Sequence, residues 1–97
     1  MRTVDRAFRL QQDLRVLIPI ARRLARKAGP SGITVENVQR WADNHGVLLA
    51  STDRGYRSRL LGAVMRAAGL EAVRGVWRRT TRVGTKGGNV VRVWRAA

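Results

Sequence analysis

The apolar residues of this chain change their spacing near Val73, and this change restricts the fold more than any other feature of the sequence. Before Val73, apolar residues recur every three or four positions, which is typical of amphipathic helices. From Val73 onward, β-branched and basic residues flank a glycine-rich segment at 84–89, which is typical of a β-hairpin. We therefore expect one domain of the α+β class, with helices first and a hairpin last.

The first predicted helix covers residues 4–28, where leucine, isoleucine and alanine form one stripe at helical spacing. Pro19 lies inside this stretch. Because proline lacks a backbone N–H and disfavours helical geometry in the residue before it, we expect either one kinked helix or two pieces, at about 4–17 and 19–28.

The second predicted helix runs from about 35 to 45, after Thr34 as a favourable N-cap and before Gly46 as a stop. A short connector at 31–33 precedes it and is suited to a single β-bridge. Trp41 lies on the apolar face of this helix, so we expect its ring in the core rather than against a ligand.

The third predicted helix covers about 54–68, after an N-cap at Thr52 or Asp53. Its core face is expected to carry Leu60, Leu61, Val64 and Ala68. Its opposite side carries Ser58, Arg59, Gly62 and Arg66. Arg57 follows the core stripe one turn earlier, so its stem should pack while its head reaches water. Because glycine inside a helix costs roughly 1 kcal/mol against alanine, Gly62 suggests the close approach of another backbone, from DNA or from the protein itself.

The hairpin is predicted from strands at about 73–83 and 90–95. A hairpin alone is barely stable in water, so it must pack against the helices. Val73 and Trp77 share one face of the first strand and are the contact we expect.

The positive charge is large and unevenly distributed. Twenty basic residues stand against six acidic ones, giving a formal net charge of +14. By segment, the formal charge is +6 over 1–28, −2 over 29–53, +4 over 54–70 and +6 over 71–97. A folded domain this basic favours a polyanionic partner, most often nucleic acid. The one acidic segment contains the second helix, which is then expected to face away from that partner.

Several kinds of chemistry are excluded or unsupported. The chain has no cysteine, which excludes disulfides, thiolate metal sites and cysteine nucleophiles. His45 is its single histidine, and no catalytic or metal-ligating constellation is evident. We therefore predict no enzymatic activity, no cofactor, no metal and no small-molecule substrate. Frequent charges over 1–28 exclude a transmembrane span there, and we expect a cytoplasmic, nucleoid-associated protein.

The order of elements, with Leu60-Leu61-Gly62-Ala63-Val64-Met65-Arg66-Ala67-Ala68-Gly69-Leu70 followed by Val91-Arg92-Val93-Trp94-Arg95, resembles winged helix-turn-helix DNA-binding domains. It is especially similar to those of phage and plasmid replication and regulatory proteins. The resemblance covers 19–97 and leaves 1–18 as an N-terminal helical extension. It implies a recognition helix at about 54–68 in the major groove and a wing within about 73–95 on the backbone or in the minor groove.

The expected DNA contacts lie on the third helix and on the wing. They are Arg54, Tyr56, Arg57, Ser58, Arg59, Gly62, Arg66, Arg78, Arg79, Arg82, Lys86 and Arg92. Depending on strand register, Arg78, Arg82 and Arg92 could share one surface. We expect the cationic side chains as a whole to lie on a single flank of the domain.

The function we expect is non-enzymatic binding of double-stranded DNA, as a phage or mobile-element regulator of transcription or an accessory of replication. Two alternatives stay open at this point. One is a protein-interaction module or inhibitor that docks on an acidic host protein. The other is an RNA-binding module, for which the few aromatic residues are a poor match.

A homodimer is a separate hypothesis. Residues 1–18 exceed what the fold needs, and Phe8, Val16 and Ile20 lie off the main apolar stripe of the first helix, so a second packing surface would explain them. A two-fold dimer would place two recognition helices in successive major grooves.

Overall fold

The structure, a computed structural model, describes residues 2–50, 53–79 and 90–97. Three helices precede two antiparallel strands, which confirms the α+β class and the predicted element order. The elements are α1 (Arg2–Ala28), a 3-10 turn (Gly29–Ser31), α2 (Val35–Asn44), α3 (Arg54–Ala67), β1 (Leu70–Arg79) and β2 (Val90–Ala96). In the described part of the chain, no helix is both long enough and apolar enough to cross a membrane.

Helix α1 is one unbroken element with Pro19 inside it, so of the two predicted alternatives the single helix is confirmed and the division into two pieces is wrong. Pro19 lies on the exposed side of the helix, where water can satisfy the carbonyl that proline leaves without an N–H partner. The opposite side buries Leu17 in the core that α1 shares with α2 and α3. The predicted boundary at residue 18 falls inside α1, and Leu10 and Leu14 before it also pack against this core.

Helix α2 begins and ends where its sequence predicts. Thr34 and Asn37 form a capping box, in which the Thr34 backbone N–H donates to Asn37 Oδ1 at 2.7 Å. The helix ends at Asn44, and Gly46 then takes a φ of +67°. The core position expected for Trp41 is wrong, because smaller residues on the same face make the core contact and the indole is left half-buried at the edge.

Helix α3 is capped by Asp53, whose carboxylate accepts from the Tyr56 backbone N–H at 3.0 Å. All four residues expected on its core face are buried, together with Met65. Gly69, with a φ of +78°, follows the helix and leads the chain into β1.

The two strands pack on the helical core through Leu70 and the partly buried Trp94, so the contact predicted for Val73 and Trp77 is wrong. Val73 is half-buried, and the Trp77 side chain is 50% exposed. The strand register changes between Ala72 and Trp77, where the four residues 73–76 of β1 lie opposite a single residue of β2, Val93. This irregularity resets the alternation of side chains on which the sequence prediction depended.

A third short segment completes the base of the hairpin. Ile33 and Trp94 exchange two backbone hydrogen bonds of 2.7 Å, which confirms the single bridge predicted for 31–33. Gly32, just before the bridge, has a φ of +73°, and a Cβ there would lie 2.6 Å from the Trp94 carbonyl oxygen. Only glycine fits this position without a shift of the backbone. The segment before α2 therefore fastens β2 to the helical core.

Candidate nucleic-acid interface

The outer face of α3 carries exposed cationic side chains. Ser58, Arg59 and Arg66 are exposed there, on the side opposite the buried leucines, as helical spacing predicts. Gly62 lies between the two arginines, and a Cβ at Gly62 would be 3.7 Å from Arg66 Nη2. The sequence prediction places another backbone close to Gly62. The group that lies over this glycine is instead the guanidinium of Arg66.

The first turn of α3 is fixed from inside the protein. The Tyr56 hydroxyl donates a 2.5 Å hydrogen bond to Asp13 Oδ2 on α1, and the same oxygen accepts from the Ala50 backbone N–H at 3.0 Å. Burial, the hydrogen bond to Asp13 and the negative charge of that carboxylate together raise the pKa of Tyr56 to about 12. Tyr56 is thus an anchor that orients α3, with its hydroxyl already bonded internally.

Arg57 is half-buried, as the packed stem predicted for it requires. Its Nε is shielded from solvent and has no hydrogen-bond partner among the described residues. Arg57 is therefore separated from the exposed set formed by Ser58, Arg59 and Arg66. The Arg54 side chain, which was predicted to join them, lies outside the described residues.

The strands divide their arginines between two faces. Trp77 pairs with Arg92 and Arg78 pairs with Val91, so Arg78 and Arg92 project from opposite faces and the expectation that they share a surface is wrong. Arg92 lies over the Trp77 ring, with its guanidinium carbon 4.9 Å from the ring centroid. Arg78 Nη2 donates instead to the Ser31 carbonyl oxygen at 2.6 Å.

The remaining predicted wing contacts lie outside the described residues. They are the side chain of Arg79 and the whole of Arg82 and Lys86.

The described carboxylates all have partners within the protein. Besides Asp13 and Asp53, these are Glu36 with Arg40 at 3.7 Å, Asp43 with the Gln39 amide at 3.0 Å, and Glu71 with Arg95 at 3.2 Å. Asp13 and Glu36 are also buried. The acidic groups therefore serve internal contacts, while most described arginines point into solvent.

Two further groups of cations are resolved by the structure. Arg22 and Arg26, one turn apart on α1, line a small cleft with Leu70, and Arg22 Nε donates to the Ala68 carbonyl oxygen at 3.2 Å. Their four-residue spacing in the sequence is the signal that could have paired them. Lys27 lines a neighbouring cleft together with both of them, and it also borders a further cleft beside α2. With Arg78 and Arg92 on opposite faces as well, the expectation of a single cationic flank is wrong.

Trp41 and His45 form an aromatic pair at the end of α2. Their rings stack with centroids 3.7 Å apart and planes 10° apart, and a nitrogen of the His45 ring lies 2.9 Å from the Trp41 carbonyl oxygen. Sequence reasoning missed this pair, although a spacing of four residues on a helix predicts contact.

Neither a metal site in the described part of the chain nor similarity to other proteins identifies this surface. Among the side chains that the structure describes, no three histidine or carboxylate groups lie close enough together to hold a metal ion. No family model, curated protein or solved structure matches the chain, so the functional conclusion depends on its own residues and their geometry.

Proposed function

We propose that this protein binds double-stranded DNA, with the outer face of α3 in the major groove. The observation that carries the proposal is the exposure of Arg59 and Arg66 on one side of a helix whose other side is buried. The two residues are seven positions apart, which is about 10 Å along a helix axis. This distance corresponds to about three base-pair steps of 3.4 Å each, within the reach of one helix in the major groove.

The chemistry of the exposed groups supports a nucleic-acid partner. A guanidinium group can donate two parallel hydrogen bonds to a guanine edge or to a phosphate. The formal net charge of +14 already counts all six acidic residues, and each described carboxylate has a hydrogen-bond or ion-pair partner within the protein. Electrostatic attraction of this size gives affinity for any duplex, and the contacts of α3 with base edges would add sequence preference.

We propose a winged-helix arrangement for the whole domain, in which the strands lie beside α3 on the same duplex. The bridge between Ile33 and Trp94 supports it, because it ties the hairpin base to the segment before α2. Only one face of a two-stranded ribbon can meet that duplex. Both side chains are exposed, but the bond to the Ser31 carbonyl turns Arg78 toward the helices, whereas Arg92 lies over Trp77 on the other face, so we assign the duplex contact to the Arg92 face.

The biological role proposed with this activity is that of a non-enzymatic regulator or replication accessory of the phage or mobile-element type. A homodimer remains part of the proposal. Phe8 is 62% exposed and Val16 is 47% exposed on the outer side of α1, which leaves apolar surface there for a second copy. Light scattering with and without DNA tests the dimer, and a monomer in both conditions overturns it.

The decisive test is a gel-shift titration of duplex DNA with matched double variants. Arg59→Gln with Arg66→Gln removes two positive charges from α3, and Arg9→Gln with Arg15→Gln removes two from exposed positions of α1. Because each good bidentate contact to a base is worth about 1–3 kcal/mol, we expect the α3 variant to bind at least about tenfold more weakly than the α1 variant. Equal losses for the two variants would contradict an interface on α3.

Two further measurements distinguish binding of duplex DNA from RNA binding and from docking on an acidic protein. If about six to ten cations meet phosphates, the affinity of the wild-type protein should fall by about 10³–10⁵ between about 50 and 200 mM salt. Competition by single-stranded RNA or by an acidic polypeptide should be much weaker than competition by the same mass of duplex. A competitor that equals the duplex would favour the RNA-binding or protein-docking function instead.

A further inference from the structure

A second site of different character lies away from the outer face of α3. A cleft of about 410 Å³ opens between the end of α1, the bridge segment at 32–33, α2 and β1. Its polar and aromatic lining consists of Lys27, Asn37, Arg40, Trp41, Asn44 and Arg78. This volume is within the usual range of small-molecule sites, about 300–1,000 Å³.

The charge of the cleft is cationic and its cations come from three separate elements. Lys27 belongs to the last turn of α1, Arg40 to α2 and Arg78 to β1. No carboxylate is among the described residues that line the cleft, although Arg40 also pairs with Glu36 at 3.7 Å. The hydrogen bond from Arg78 to the Ser31 carbonyl oxygen holds its guanidinium at the rim. Cationic side chains from three elements along one cleft, two of them outside the Glu36 ion pair, are suited to an anion that carries several oxygens, such as a phosphate group.

The aromatic part of the lining is held in place. Trp41 stacks on His45, which fixes the plane of the indole while part of the same ring lines the cleft. An indole surface next to guanidinium and ammonium groups is the combination with which proteins hold an unpaired base and its phosphate. The amide groups of Asn37 and Asn44 add donors and acceptors of the kind that contact base edges.

We propose that this cleft binds a single nucleotide unit, with the base against Trp41 and the phosphate among Lys27, Arg40 and Arg78. A paired base inside a duplex is stacked between its neighbours and does not reach a ring in a cleft, so the ligand is an unpaired nucleotide. Its source is either a free nucleoside monophosphate or the phosphorylated end of an unpaired strand. The site uses a different surface from the proposed duplex-binding face of α3, and it can exist without that function.

The test is a titration of the full-length, ¹⁵N-labelled protein followed by two-dimensional NMR. The probes are thymidine monophosphate, thymidine, inorganic phosphate, and a short oligothymidylate with and without a 5′ phosphate. We expect thymidine monophosphate to shift the amide signals of Lys27, Asn37, Arg40 and Trp41 at concentrations well below those at which thymidine or phosphate shifts them. If the oligothymidylate binds more tightly than thymidine monophosphate, and does so only with its 5′ phosphate, the source of the ligand is a strand end. If it binds no more tightly than thymidine monophosphate, the source is the free nucleotide.

Two variants and one control assign the binding to the cleft. Trp41→Leu should weaken binding of thymidine monophosphate about tenfold, as expected for the loss of one base–aromatic stack. Lys27→Gln changes an exposed residue and should weaken the phosphate-dependent part severalfold, even if Trp41→Leu fails to fold. Arg9→Gln removes the same charge from α1, about 27 Å away along the helix, and should leave the affinity unchanged.

Four results would overturn the proposal. They are an absence of shifts around the cleft, equal effects of phosphate and thymidine monophosphate, equal losses for Lys27→Gln and Arg9→Gln, and equally tight binding of an acidic peptide at the same amides. The result of the duplex titration is independent of the result of this nucleotide titration. The Arg59→Gln, Arg66→Gln variant should keep its affinity for thymidine monophosphate, so failure of either proposal leaves the other measurable.

Discussion

Helix α3 and the ribbon formed by β1 and β2 both carry exposed arginines, but the protein holds them in different ways. Helix α3 is fixed along its length by a buried face and at its first turn by the bond between Tyr56 and Asp13. The ribbon is fixed at its base, where Val93 is buried and Trp94 bonds to Ile33. Beyond the irregularity in β1, the Trp77 side chain is half exposed.

This difference shows what sets the direction of a charged side chain in each region. On α3 the helical period fixes the outward direction of Arg59 and Arg66 once the opposite face is buried. On the ribbon the direction depends on strand register, and a register change inside β1 decides which arginines face together. A surface built on a packed helix is therefore less sensitive to local change than one built on a ribbon.

The largest effect is expected from Gly32→Ala, which acts on the base of the ribbon. The new Cβ would meet the Trp94 carbonyl at 2.6 Å, and the φ of +73° is unfavourable for alanine. The left-handed backbone costs about 1–2 kcal/mol and overpacking about 1–3 kcal/mol, so we expect a loss of about 2–5 kcal/mol in the free energy of unfolding. Chemical denaturation measures it.

Gly29→Ala is the matched control for this prediction. Its φ is +63°, but a Cβ there meets nothing within 4 Å. The loss should stay at about 1–2 kcal/mol, the cost of the backbone conformation alone. Equal losses at Gly29 and Gly32 would show that the hairpin base does not depend on the close approach of Trp94.

The next effect concerns the anchor of α3. Asp13→Asn removes the charge that accepts from the Tyr56 hydroxyl and from the Ala50 N–H, so we expect a loss of about 1–3 kcal/mol in the free energy of unfolding. Asp43→Asn is the control, because that carboxylate is exposed. Its substitution should lower the free energy of unfolding by less than about 0.5 kcal/mol. If both substitutions cost the same, α3 is held by its buried face alone.

The same anchor predicts a high-pH titration. Tyr56 is the single tyrosine of the chain, so the ultraviolet absorbance of tyrosinate reports it directly. Its pKa should be near 12 in the folded protein against the ordinary 10.0. Asp13→Asn should lower this pKa toward 10.0 but not fully, because burial is the largest cause of the shift. A wild-type midpoint near 10 would contradict the bond to Asp13.

The raised pKa of Tyr56 makes the free energy of unfolding depend on pH, and it also sets the direction of that dependence. The folded state keeps the Tyr56 proton more tightly than the unfolded state does, because its pKa is raised. This contribution is fully present below pH 10 and is lost as the pH rises from about 10 to about 12. Stability measured across this window should fall less steeply in Asp13→Asn than in the wild-type protein.

The smallest effect is expected on the exposed end of the ribbon. Arg92 and Trp77 are joined by a cation–π contact at a partly exposed position, which is worth about 0.5–1 kcal/mol. A double-mutant cycle with Arg92→Gln and Trp77→Leu should give a coupling energy of that size. A coupling energy of zero would mean that the ribbon face is not held together by this pair.

Much of the helical part could be predicted from the sequence because its determinants are local. The caps at Thr34 and Asp53 are short-range hydrogen bonds, and the buried faces of α2 and α3 follow from spacing. The continuity of α1 could not be predicted in the same way. Whether a helix accepts Pro19 depends on whether that position faces solvent, and tertiary packing decides this.

The candidate site was predictable to a similar degree. The exposed arginines of α3 follow from the helical period, whereas the inward bond of Tyr56 joins residues 43 positions apart and leaves no trace in local spacing. The separation of Arg78 from Arg92 depends on an irregular strand register, to which the periodicity of β1 gives no guide. The cleft around Trp41 gathers side chains from three elements, so it exists only in the folded chain.

The bridge between Ile33 and Trp94 has a kinetic consequence. It joins positions 61 apart (94 minus 33), and closing a chain segment of that length costs about 3–4 kcal/mol of entropy beyond a constant term. Two hydrogen bonds do not offset such a cost unless the helices have already brought both ends together. The ribbon is thus expected to order last during folding, and its amide protons should exchange with solvent before those of the helical core.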